Sequence, residues 1–376
     1  MEELIMRVVN FATCSLIALL ICGPLTVCGQ DSEDSAVSED DVTAVSPSDA
    51  NSQRWSLFDN SERSTQITGW MQLGYHNESN GGFNSHPDNL NLHQLWFTLD
   101  RAPEDDGAGL NLGYHMDIVY GVDAPNVQSF GNNAGNYDFQ NGLDHGSYAW
   151  ALPQLYGSAT VGSLDLKVGH FSTLVGYEQA AAPANFFYSH SMGFNNTAPR
   201  THTGVLATTE ARGAEVYLGW TLGWDTGFDQ LGSGSAALGG FSKQIGDRTR
   251  VSYITTFGDL GHRGVGYTHS MVVEVAFGDQ LTYIAQHDFA NVSSSTDSTD
   301  DVGINNYLIY DLNDTWSLGG RLEWWRNDTT SRYSAGAGLN WNGRTNLTVR
   351  PEVRLDWSPE TDEEVTIFAV DAIIAF

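Results

Sequence analysis

Arg350, Glu352, Arg354 and Asp356 occupy every second position of one stretch, and Arg321 and Glu323 do the same in another. In an extended chain, residues two apart share a face and stand about 7 Å apart. Arginines and carboxylates at that spacing can do two things. Facing water, they set a transverse field that sorts solutes by charge. Facing one another across neighbouring strands, they neutralise each other and hold a wall together. The two roles are compatible.

No other chemistry competes with this one. The chain has no Gly-x-Ser-x-Gly, no P-loop and no dinucleotide fingerprint in a βαβ setting. Its 11 histidines are scattered, His93, His115, His145, His170, His190 and His202 among them. None has zinc-ligand spacing. The expectation is no covalent chemistry, no metal and no cofactor. The run Asp297-Ser298-Thr299-Asp300-Asp301 offers oxygens to a divalent ion from a long loop; a solvated acidic loop explains it as well. The net charge of −29 argues against a nucleic-acid partner, since phosphate binding needs a basic face.

The elements that carry these charges are strands. In 345–357, Leu347, Val349, Pro351, Val353, Leu355 and Trp357 alternate with Asn346, Thr348, Arg350, Glu352, Arg354 and Asp356. In 109–120, Leu110, Leu112, Tyr114, Met116, Ile118 and Tyr120 alternate with Asn111, Gly113, His115 and Asp117. In 315–326, Trp316, Leu318, Leu322 and Trp324 alternate with Arg321, Glu323 and Trp325. Period-two alternation marks strands with one apolar and one polar face. Weaker segments of the same kind are 66–77, 91–100, 152–161, 164–171, 203–209, 213–225, 236–245, 249–258, 268–277, 280–289, 302–312, 333–341 and 364–376. That makes about sixteen strands, enough for a water-filled channel.

Connection lengths point the same way. Gly162-Ser163, Gly246-Asp247-Arg248, Gly278-Asp279, Asn313-Asp314 and Asn342-Gly343-Arg344 read as tight turns. Between them lie long connections at 78–90, 121–151, 172–202, 226–235, 290–301 and 358–363. Short turns on one face and long loops on the other describe a transmembrane barrel, apolar side to lipid and polar side to water. The expected fold is all-β: a single closed antiparallel barrel over 64–376. Arg321, Glu323, Arg350, Glu352, Arg354, Asp356, His115, Asp117 and Lys167 are its candidate pore-lining residues. The loops 121–151 and 172–202 either fold inward to narrow the pore or pack on the rim.

The N-terminus reads as an export leader over 1–29, apolar from Val8 to Val27 and ending at Val27-Cys28-Gly29. Glu2 and Glu3 precede Arg7, so Met6 is the better start. Cys14, Cys22 and Cys28 all fall in this leader, so the exported chain has no disulfide or thiolate chemistry. Residues 30–63 form an acidic, Ser-rich spacer whose composition predicts disorder. The terminal Ile373-Ile374-Ala375-Phe376 looks like the signal read by barrel-assembly machinery.

Several stretches also resemble a known family in order. They are Pro153-Gln154-Leu155-Tyr156, Lys167-Val168-Gly169-His170-Phe171, Gly176-Tyr177-Glu178, Asn185-Phe186-Phe187-Tyr188-Ser189, His202-Thr203-Gly204-Val205 and Gly219-Trp220-Thr221-Leu222-Gly223-Trp224-Asp225. The chain is similar here to the OmpL-like putative β-barrel porin family. The resemblance implies an outer-membrane location, and a strand over 167–171 running into a long loop. It carries over no binding residues.

The expected function is a porin for small hydrophilic solutes or ions, weakly cation-preferring, in contact with outer-membrane lipid. Porins of this size often form homotrimers, and the sequence leaves that open. A plugged barrel acting as a surface binding or adhesion protein is the alternative, and a soluble secreted β-sandwich or lectin is a third.

Overall fold

The computed structural model describes residues 64–103, 109–131, 144–230, 232–294, 298–328 and 330–376. The leader, the acidic spacer and Asp297 lie outside them. The first eight strands are β1 (Gln66–His76), β2 (Asn91–Arg101), β3 (Asn111–Gly121), β4 (Ala149–Val161), β5 (Leu164–Ser172), β6 (Thr201–Ala211), β7 (Ala214–Trp224) and β8 (Ser235–Ile245). The rest are β9 (Thr249–Asp259), β10 (Val265–Phe277), β11 (Leu281–Ser293), β12 (Ser298–Asn313), β13 (Trp316–Asn327), β14 (Thr330–Arg344), β15 (Leu347–Ser358) and β16 (Glu363–Ala375). A six-residue helix, α1 (Met192–Thr197), interrupts the connection from β5 to β6.

Each strand pairs antiparallel with the next, and β1 pairs with β16 from Trp70↔Ala375 to His76↔Ala369. The sheet thereby closes with no edge, the condition for spanning lipid with strands. Phe376 continues the seam, exchanging backbone hydrogen bonds with Gly69 at 2.8 and 2.9 Å. No helix among the described residues is long and apolar enough to cross a membrane.

The alternation read from the sequence sets the two faces. Leu112, Val205, Leu218, Phe257, Leu308, Leu322, Val353 and Phe368 stand exposed around the outside, with Leu218 at 71% and Leu322 at 61%. A soluble barrel would not leave so broad an apolar surface bare; a lipid-facing belt requires it. The polar residues between them point inward.

The connections differ from expectation in the second half. β11 runs to Ser293 and β12 begins at Ser298, so 290–293 and 298–301 are paired strand where a long loop was expected. From Ser298 onward the acidic run is therefore strand: Asp300 accepts from Asn291, and Asp301 pairs with Arg263 at 2.9 Å. The link 358–363 shrinks to 359–362, because the β15–β16 ladder extends to Ser358↔Glu363. The turn expected at Asn342-Gly343-Arg344 falls at 345–346, since a bulge lets β14 run on to Arg344. The long connections that remain follow β1, β3, β5 and β7, all in the first half of the chain.

Candidate functional site: the inward loop

The chain between β5 and β6, residues 173–200, folds into the barrel and contacts the wall on several sides. Its apolar residues carry it there. Val175 and Ala198 pack with Phe171 and with the inward Leu206, Tyr217, Leu238 and Ile254 of β6–β9. Phe187 packs on Val272, Ile284, Tyr307 and Ile309 of β10–β12, with Phe186 beside it. Tyr188 packs on Ile367 and Ala369 of β16. Glycines admit the rings: a Cβ at Gly319 would stand 2.2 Å from Phe186, and one at Gly74 would stand 2.8 Å from the Tyr188 hydroxyl.

Polar contacts then fix the loop's register. Arg321 donates to Glu178 Oε1 at 3.0 Å, to the Ser189 carbonyl at 2.7 Å and to Ser189 Oγ at 2.8 Å. Glu352 accepts from the Ser189 amide at 2.9 Å and from its hydroxyl at 2.5 Å. Arg354 donates to the His190 carbonyl at 2.6 Å and to Asp356 Oδ1 at 2.6 Å, and lies 3.7 Å from Glu323. Arg350 binds Asp371 at 2.5 Å and donates to the carbonyls of Ala182 and Asn185. Tyr307 donates its hydroxyl to Glu178 at 2.9 Å. Burial alone would push the Glu178 carboxyl up. His190 at 3.3 Å and the Arg321 guanidinium outweigh that and hold it at about 2.

On the neighbouring wall, the extra residue of a β1–β2 bulge, His93, turns inward next to Gln94. His93 makes hydrogen bonds with Tyr188 Oη at 2.6 Å and Asp123 at 2.8 Å, and Tyr188 reaches His76 at 3.0 Å. Gln94 donates to the Ala180 carbonyl at 2.8 Å.

All nine residues singled out from the sequence face inward, but they fall into two groups. Arg321, Glu323, Arg350, Glu352 and Arg354 are buried beneath the loop, Arg321 at 1% exposure, and Asp356 is partly open. His115, Asp117 and Lys167 gather on β3–β5. His115 bridges Asp100 at 2.8 Å and Asp117 at 3.2 Å, stacks on Tyr156 at 5.2 Å, and shares that ring with the Lys167 ammonium at 5.3 Å. Thr98 and Gln154 also donate to Asp117, at 2.6 and 2.7 Å. Lys167 is the exposed member.

Sequence reasoning missed Glu178, Ser189 and Asp371. Asp371 had a signal, as the lone charge amid Ile367, Phe368, Ala369, Val370, Ala372 and Ile373. Ser189 had none.

A closed barrel with an apolar outside, a polar inside and a loop folded into its lumen defines the class of outer-membrane porins and channels. The chain belongs to the putative beta-barrel porin-2, OmpL-like family, whose model matches residues 64–376. Solved structures share the fold at low identity. A loop-deletion mutant of OmpT from Vibrio cholerae superposes with TM-score 0.58 at 12% identity, over 83% of this chain and 99% of that one. An anion-selective porin from Comamonas acidovorans gives 0.57 at 12%, over 83% and 99%. The outer-membrane channel DcaP of Acinetobacter baumannii gives 0.56 at 10%, over 83% and 97%. No curated protein sequence matches the chain.

Proposed function

We propose that this porin is a narrow passive channel for small hydrophilic solutes and ions, weakly cation-preferring, working without cofactor or covalent step. The observation that carries the cation preference is the state of the wall arginines. Arg321, Arg350 and Arg354 are each engaged by carboxylates beneath the loop, so none offers a free positive charge to a passing anion. The acidic balance of the chain is then not reversed inside the barrel. Reversal potential of single channels across a salt gradient tests this; an anion-selective potential overturns it. Replacing Arg350 and Arg354 with Gln strips Asp371 and Asp356 of their cations, and the carboxylates left unpaired should shift selectivity further toward cations; no change would mean that the salt bridges are buried away from the permeating ion.

The extent of loop 173–200 favours one rival, a plugged barrel that binds partners at the cell surface. Liposome swelling separates the two, because a plugged barrel admits no sugar. In either case the reading places the chain in the outer membrane after export, with Phe376 as its assembly signal. One OmpT structure is a trimer form; a homotrimer is proposed here on that parallel, and chemical cross-linking in detergent tests it.

A further inference from the structure

Along β5–β10 the inner wall changes character from one end to the other. Toward the long connections it is covered by loop 173–200: Phe171, Leu206, Tyr217, Ile254 and Val272 are all buried there. Toward the short turns the same strands stand open. Asp165 and Lys167 of β5, Glu210 of β6, Glu215 of β7, Arg250 of β9 and Glu274 of β10 are exposed or half-exposed. Each lies an even number of residues from one of those buried inward neighbours on its own strand, so each faces the lumen.

Tyr217 marks the boundary. It packs in one cluster with Val175 and Ala198 of the loop, and its hydroxyl donates to Glu215 Oε2 at 2.5 Å. The Glu215 carboxylate is thereby held where the open half meets the loop. Glu210 stands directly opposite it in the β6–β7 register. Like charges so placed weaken a sheet. In a hydrated lumen, mobile cations offset that repulsion, while an anion meets it as a barrier. Glu274 stands opposite Arg250 in the β9–β10 register. Lys167 lies 5.3 Å from the centre of the Tyr156 ring and makes no ion pair with a described residue. Its ammonium is an open positive charge, whereas Arg321, Arg350 and Arg354 are buried and engaged by carboxylates. An exposed single charge acts on an ion in the lumen; a neutralised buried pair acts far less.

We propose that charge selectivity is set in this open, short-turn half of the lumen, by Lys167 working against Asp165, Glu210, Glu215 and the Glu274–Arg250 pair. The arginines beneath the loop hold the loop; the open charges sort the ions. The carboxylates outnumber the cations on this stretch, and Lys167 is the counterweight that keeps the cation preference weak. This rests on the channel reading and names the residues through which the channel discriminates.

The test is Lys167→Cys in the full chain, modified with a positively or a negatively charged methanethiosulfonate. Cys14, Cys22 and Cys28 precede the barrel, so label is counted by mass against the unsubstituted chain. Single-channel reversal potentials across a salt gradient then read the effect of each charge. The negative adduct should raise the cation-to-anion permeability ratio about twofold or more, and the positive adduct should restore the wild-type value. Glu215→Gln should move the ratio the other way. Lys243→Glu makes a comparable charge change on the outer face of β8 and should leave the ratio as it is. A folded Lys167→Cys chain that takes no extra label overturns the proposal, because that half of the wall is then closed. Full labelling with a reversal potential indifferent to the sign of the adduct overturns it too. Either result leaves the channel reading standing. If the unsubstituted chain passes no current, the channel reading falls and takes this assignment with it.

Discussion

Arg321 and Glu178 meet at 3.0 Å although 143 residues separate them in the chain, and both are buried. One belongs to the barrel wall and the other to the loop, so their pairing is what joins a rigid closed sheet to a segment with almost no secondary structure. Charges removed from water this way are costly unless fully engaged, and here each has several partners. The loop's position inside the barrel is therefore specified by electrostatics as well as by its aromatic contacts.

Removing one side of that pair should release the loop. Arg321→Met leaves Glu178 and Glu352 buried without their shared cation, a loss on the order of 3–5 kcal/mol. Single-channel conductance should rise and become noisier. The double variant Glu178→Gln/Arg321→Met should recover part of the wild-type closure. Wild-type conductance in the single variant would show that the aromatic contacts alone hold the loop.

Acid should do the same. Glu178 titrates at about 2 in the folded chain, below its ordinary 4.5. A lowered carboxyl pKa contributes stability that is fully present above the unfolded value and is lost as pH falls toward the folded one. Loop docking should thus weaken progressively from about pH 4.5 to about pH 2. Bilayer recordings stepped from neutral to acid should show conductance increasing in that window. Glu178→Gln should respond far less, and an equal response in that variant would remove Glu178 from the explanation.

Two adjacent glycines provide an internal control on the wall. Gly319 faces Phe186 so closely that a methyl group would overlap it, whereas Gly320 has nothing within 4 Å. Gly319→Ala should destabilise loop docking by about 1–3 kcal/mol. Gly320→Ala should leave it unchanged. Limited proteolysis within 173–200 reports the difference, and equal cleavage of the two variants would contradict the packing described.

The outer belt is testable through Leu218, one of its most exposed members. Leu218→Arg should cost about 2–4 kcal/mol of folding stability in lipid vesicles, the range for a charge at mid-membrane. The inward neighbour Tyr217→Arg should lower stability equally in lipid and in detergent, because it disturbs a packed interior contact. If vesicle refolding tolerates Arg at 218 as well as Leu, that face does not meet hydrocarbon.

Strand number, strand direction and the sorting of side chains to two faces were all legible in the sequence. The reason is that alternation is a local property: Arg350, Glu352 and Arg354 share a face whatever the rest of the chain does. Turns were legible at Gly162-Ser163 and Gly278-Asp279, and misjudged where strands simply ran on past the expected residues, as at Ser298–Asp301 and at Asn342-Gly343-Arg344. What only the tertiary structure decided is the destination of residues 173–200. Their route depends on contacts between Glu178 and Arg321, Ser189 and Glu352, and Phe187 and Ile284, each pair far apart in the chain. No periodicity records such pairings, because their energy exists only once the barrel has closed and brought its wall to face the loop.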